Sequence, residues 1–183
     1  MSISSRTASD RRRLPLILAA ACSTGALLAL SSPMASAVAP ATATATFNCG
    51  SWGSGSATLT AADNGTTKSI KLNSSAITMP VGTSADPNSI TTTLKVSKTS
   101  GGVTSQVQFS AKANPGMTYP NPITLGPLKL SSGTLAAGDS TDSVVLSPPA
   151  TTTNWSLMIV TSSPTSATVP CVTTSAQSAP FVW

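Results

Sequence analysis

The chain of 183 residues contains no histidine and no glutamate, and its last arginine is Arg13. Without histidine it lacks the usual general base near neutral pH and the commonest metal ligand. Beyond the N-terminal region the only carboxylate side chains are Asp63, Asp86, Asp139 and Asp142. A glycosidase needs two carboxylates facing each other across a sugar bond, and Asp139 and Asp142 are too close in sequence to do that. The segment Gly138-Asp139-Ser140-Thr141-Asp142 offers too few acidic oxygens for Ca²⁺, which takes six to eight. No metal and no cofactor is therefore expected. Charged residues make up 8% of the chain, and after Arg13 the cations are six scattered lysines, Lys68, Lys71, Lys95, Lys98, Lys112 and Lys129. Such thin charge excludes a phosphate-tracking surface for nucleic acid and a polybasic membrane anchor.

What is present begins with Arg6 and Arg11 to Arg13, the apolar run Leu14 to Leu30, and Ala35-Ser36-Ala37. Cations, then an apolar core, then small residues is the order of a secretion signal. The sequence predicts a signal-peptide helix in residues 1–37, a cut between Ala37 and Val38, and a single domain over 38–183. Asp10-Arg11-Arg12-Arg13-Leu14 resembles a twin-arginine signal, so the export route stays open. The expected destination is the extracellular medium or the cell envelope, with no membrane attachment after signal removal. Cys22 leaves with the signal. Cys49 and Cys171 remain, and in an oxidising compartment a disulfide between them is the natural reading.

Beyond residue 38 no helical period appears, and strands are separated by Gly, Pro, Asn and Asp. Ala45, Phe47 and Cys49 share one strand face. Asp63-Asn64-Gly65 signals a tight turn between strands at 56–61 and 67–72. Ile90, Thr92, Leu94 and Val96 alternate with Thr91, Thr93, Lys95 and Ser97, the period of a half-buried strand, and Gly101-Gly102 leads to a partner with Val103, Val107 and Phe109 inward. The Pro-rich stretch 112–122 reads as a long connection. Strands at 123–130, 142–146, 154–161 and 168–173 follow, with a last edge segment near Trp183. This pattern indicates an all-β antiparallel sandwich or barrel; because a Cys49–Cys171 bond would set the first and last strands side by side or face to face, a sandwich of about 7–9 strands is expected.

Leu135-Ala136-Ala137-Gly138-Asp139-Ser140 leading to Val144 resembles the turn-to-strand signal of bacterial immunoglobulin-like domains. The early cysteine beside a tryptophan, Thr-rich strands and late cysteine are similar to small secreted bacterial β-sandwich proteins of that type. The resemblance implies an immunoglobulin-like fold and carries no catalytic residue with it.

With aromatics at 4% of the chain, each one matters. Trp52, in a Gly-rich loop, either packs over the disulfide or is offered to a partner, and Tyr119, in the Pro-rich connection, is the second candidate contact. Trp155 is expected in the core and Trp183 at a sandwich edge. Thr42-Ala43-Thr44-Ala45-Thr46 and Thr91-Thr92-Thr93 form threonine rows without a fixed repeat. The function expected is a secreted, non-catalytic binding or structural module that meets an extracellular protein or glycan through Trp52 and Tyr119. Alternatives are a carbohydrate-binding module using exposed aromatics and a small Ser/Lys hydrolase.

Overall fold

Residues 37–183 are described by the structure, a computed structural model. The expected signal peptide, residues 1–37, lies outside the described residues except for Ala37. Among the described residues the chain forms β1 (Thr42–Asn48), β2 (Ser54–Asp63), β3 (Lys68–Thr78), β4 (Ser84–Ala85), β5 (Ile90–Ser100), β6 (Val103–Lys112), β7 (Met117–Thr118), β8 (Pro122–Ser132), β9 (Ser140–Ser143), β10 (Leu157–Thr161), β11 (Ala167–Thr173) and β12 (Phe181–Val182), with one 3₁₀ turn at Gly50–Trp52.

The expected immunoglobulin-like sandwich is not what forms. Eight strands close on themselves in the order β1-β2-β3-β8-β6-β5-β10-β11, and β11 returns to β1. The closing contact is antiparallel pairing of β5 with β10, from Ile90 opposite Thr161 to Leu94 opposite Leu157. A sandwich would leave that seam open. Strand alternation looks the same in both architectures, since each puts every second residue inside; only the long-range pairing distinguishes them.

The gap between β5 and β1 is bridged twice. At one end β10 and β11 fill it, with β11 meeting β1 only at Phe47–Thr173 and Asn48–Val172. Towards the other, β9 pairs with Val96–Thr99 of β5, β12 pairs with β9, and Ala39 pairs with Val182. Between the two bridges, Ser175 and Ser178 hydroxyls accept the N–H groups of Thr46 and Thr44.

Curvature enters at irregular points. Gly126 interrupts the β3–β8 register between Ile70–Leu128 and Leu72–Leu125, with φ at +99°. A Cβ there would sit 2.7 Å from the Leu128 nitrogen, so a side chain is excluded at this bulge. Gly53, at φ +106°, lets the chain approach β3 so closely that a Cβ would meet the Ala76 carbonyl at 2.5 Å.

The lumen is a packed core. Phe47, Leu59, Leu72, Leu94, Phe109, Leu125, Ile159 and Phe181 point inward and are buried, as an eight-stranded barrel is just wide enough for side chains to fill. Outward positions are hydroxylic: Thr42, Thr44 and Thr46 stand opposite Thr60, Thr58 and Ser56. An apolar inside with a polar outside is the reverse of a lipid-facing barrel. No helix among the described residues is long and apolar enough to cross a membrane.

Two local readings fail for identifiable reasons. Trp155, expected in the core, is only half-buried, because Ser156 and Leu157 are both buried and this doubling shifts the alternation by one place. Its ring instead carries the Lys95 ammonium 3.5 Å from its centroid, a cation–π contact. Val103, expected inward, is exposed at the tip of the β5–β6 hairpin, beyond the inward-facing Val107 and Phe109.

Candidate functional site

The disulfide expected from sequence is formed: Cys49 and Cys171 are bonded, with Cα atoms 4.2 Å apart. Both are buried. The chain leaves Cys49 through the 3₁₀ turn, in which Trp52 and Gly53 donate to Cys49 and Gly50 carbonyls and the Cys49 N–H returns to Gly53. That turn carries the Trp52 ring inward to 5% exposure. Trp52 is thus a core residue beside the disulfide rather than a contact offered to a partner, which corrects its candidate binding role.

Above the disulfide lies an open groove of about 520 Å³. One wall is Asn48 to Ser51, another is Pro148, Pro149 and Ala150, and the third is Thr168, Val169 and Pro170 of β11. The proline wall is held by Asn154, whose amide donates to the Ser147 and Pro149 carbonyls, both at 2.9 Å. In the sequence Asn154 reads as part of an Asn-X-Ser acceptor triplet; in the fold its amide is committed to this loop. No lining residue is charged.

Tyr119 stands elsewhere. The Pro-rich connection forms a short ribbon with the chain after β3, β4 pairing with β7 through Ser84–Thr118 and Ala85–Met117. Ala85, Met117 and Met79 are buried and anchor it. Its tip consists of two adjoining turns. In one, Thr83 bonds back to the Pro80 carbonyl; in the other, Asn121 donates to the Thr118 carbonyl, and the Tyr119 N–H joins the two by donating to Thr83. Val81, 77% exposed, and Tyr119, 46% exposed, project from this tip. Val81 escapes the alternation argument because it follows Pro80 in a turn, where periodicity gives no signal. The structure therefore buries Trp52 and leaves Tyr119 exposed on the same ribbon tip as Val81.

The connection is fixed by Asn114, 5% exposed. Its oxygen accepts the Ile90 N–H, and its nitrogen donates to the Asp86 and Pro115 carbonyls. In the sequence Asn114 is simply part of the Pro-rich connection, because a backbone-mimicking side chain leaves no periodic trace.

The charged residues are mostly spent on structure. Asp63 pairs with Lys68, and Asp139 with Lys98 at 3.0 Å. Lys98 also donates to the Thr134 carbonyl at 2.9 Å. The Ser100 hydroxyl, the Ala136 N–H and the Lys98 ammonium hold the Asp139 carboxyl down to about 2. Asp63 is lowered as well, first by its hydrogen bond from Lys68. A carboxyl that ionises more readily in the fold than in the unfolded chain gives stability present above its ordinary value of 3.8 and lost as pH falls towards its folded value. Melting temperatures measured between about pH 5 and about pH 2 should fall through this window, and Asp139→Asn should flatten part of that slope. An unchanged slope in the variant would contradict the assignment.

Among the described residues there is no group of three or more His, Cys, Asp or Glu positioned to hold a metal ion. Comparison of the chain with known protein families, with curated proteins and with solved structures finds no match.

Proposed function

We propose that this protein is an exported, non-catalytic binding module that meets an extracellular or cell-envelope protein or glycan through the tip carrying Tyr119 and Val81. The observation that carries the reading is the exposure of these two side chains together on an anchored ribbon. Tyrosine supplies apolar area and a hydroxyl at small entropic cost, and it is enriched at binding hot spots. The lumen is filled, so a ligand has only the outer surface to use. Export is supported by the disulfide, which is at home in an oxidising compartment. Val38, first after the expected cut, is already buried, and Ala39 is already paired.

The sugar-binding alternative now rests on Tyr119, since Trp52 is buried and Trp155 lies under Lys95. The Ser/Lys hydrolase alternative loses Lys68 and Lys98 as candidates, as both ammoniums pair with aspartates.

The exported, disulfide-intact protein should be immobilised and exposed to an envelope fraction of its source and to arrayed glycans. Tyr119→Ala with Val81→Ser should lower retention of the bound component by about tenfold or more, with stability changed by less than about 0.5 kcal/mol. Retention unchanged by both substitutions, or no retained component, would contradict the proposal.

A further inference from the structure

We infer that the groove over the disulfide takes an extended, uncharged peptide segment, which adds as a strand to the free edge of β11, at a second site apart from the Tyr119 tip. Backbone N–H and C=O groups of successive strand residues point to opposite edges. The Cys171 carbonyl accepts the Ser156 N–H at 2.9 Å, at the start of β10. Positions 167, 169, 171 and 173 therefore face β10, and positions 168, 170 and 172 face away.

On that second edge Val172 lies opposite Asn48, and pairing with β1 ends there. It ends because the chain turns aside at Cys49 into the 3₁₀ turn. Among the described residues no strand pairs with the Thr168 N–H, the Thr168 carbonyl or the Pro170 carbonyl, and Thr168 and Pro170 are two of the residues that line the groove. Proline has no N–H, so Pro170 is placed where it costs the barrel no ladder bond.

Open strand edges pair with extended chains, main-chain bonds giving affinity and flanking pockets giving selectivity. Here the flanks are Pro148, Pro149, Val169 and Ser51, with no charge among the lining residues. A charged side chain entering would lose hydration without finding a partner. Small aliphatic, threonine and proline side chains fit.

The test uses the exported, disulfide-intact protein and a library of short peptides rich in Ala, Val, Thr and Pro, with matched Lys- and Glu-containing peptides as controls. Amide chemical shifts report the site, and fluorescence anisotropy the affinity. The neutral peptides should shift the Gly50, Ser51 and Thr168 amides. N-methylation of alternate residues in one phase should weaken binding by about tenfold or more, and in the other phase by less than about threefold. Ser51→Arg, which fills the groove from an exposed position, and Thr168→Pro, which removes the donor, should each weaken binding by about tenfold. Unchanged melting of the two variants shows that the barrel is intact, and Ser51→Arg alone decides if Thr168→Pro unfolds.

Absence of any groove shift, equal tolerance of N-methylation in both phases, or undiminished binding to Ser51→Arg would overturn the inference. Tyr119-dependent retention persisting without peptide binding would overturn the groove alone. Peptide binding without Tyr119-dependent retention would overturn the tip and leave the groove.

Discussion

Replacing Cys49 and Cys171 together by serine should cost about 4 kcal/mol of stability and lower the melting temperature by roughly 10 °C. The bond joins positions 122 residues apart, and closing so long a loop removes much of the unfolded chain's freedom. A second contribution lies in the fold. β11 and β1 share only two residue pairs, Phe47–Thr173 and Asn48–Val172, so this is a thin seam of the barrel and the disulfide sits directly beside it. Hydrogen exchange in the double variant should rise first at β1 and β11, before the long β5–β6 and β2–β3 hairpins. Urea denaturation of both proteins gives the number. A loss under about 1 kcal/mol would mean that the seam holds without its staple.

The other large effect is expected at Trp183. Its ring stacks on Phe109 with centroids 5.6 Å apart and meets the edge of Phe181 at 6.4 Å. Its indole N–H donates to the Thr141 hydroxyl at 2.9 Å, and its backbone N–H to the Asp139 carbonyl at 3.0 Å. The side chain packs with the core across the β9–β12 bridge. Trp183→Ala should destabilise by about 3–5 kcal/mol, from lost burial, the cavity left behind and the unpaired Thr141 hydroxyl. Phe109→Ala should cost a similar amount, about 3–5 kcal/mol, and the double variant less than the sum of the two by about 1 kcal/mol, the coupling of stacked rings. Equilibrium unfolding of the four proteins closes the cycle. A Trp183→Ala loss below about 1 kcal/mol would remove the ring from the core.

Much of this architecture can be read from residue order. The inward set Ala45, Phe47 and Cys49, the hairpin around Asn64-Gly65, the Ile90–Val96 alternation and the cysteine pair all stand as their patterns imply. What cannot be read is which distant edges meet. Leu94 faces Leu157 across 62 intervening residues, and neither periodicity nor turn chemistry carries that information, so sandwich and barrel were degenerate from the sequence. The Cys49–Cys171 pair brings the two ends of the chain together, which a sandwich and a barrel satisfy equally, and the six-residue likeness at Leu135 to Ser140 does not separate them.

The candidate site divides in the same way. Tyr119 is as ambiguous in the sequence as Trp52, and only the turn geometry of the ribbon tip leaves it exposed. Trp52 was ambiguous, since a glycine-rich loop can turn its tryptophan either way, and the 3₁₀ geometry sends it inward. Val81 and the free edge of β11 leave no sequence signal: the first depends on how two turns adjoin, the second on where β1 stops.

Closure of the barrel underlies the whole account, because it fills the lumen and confines binding to the outer surface. Cross-strand nuclear Overhauser contacts in the isotope-labelled, disulfide-intact protein test it directly. Contacts between Leu94 and Leu157 and between Thr92 and Ile159, with slow exchange of the amides that β5 and β10 share, are the predicted result. Fast-exchanging β10 amides and no contact between these pairs, with β5 bonded only to β6 and β9, would show an open fold and contradict it.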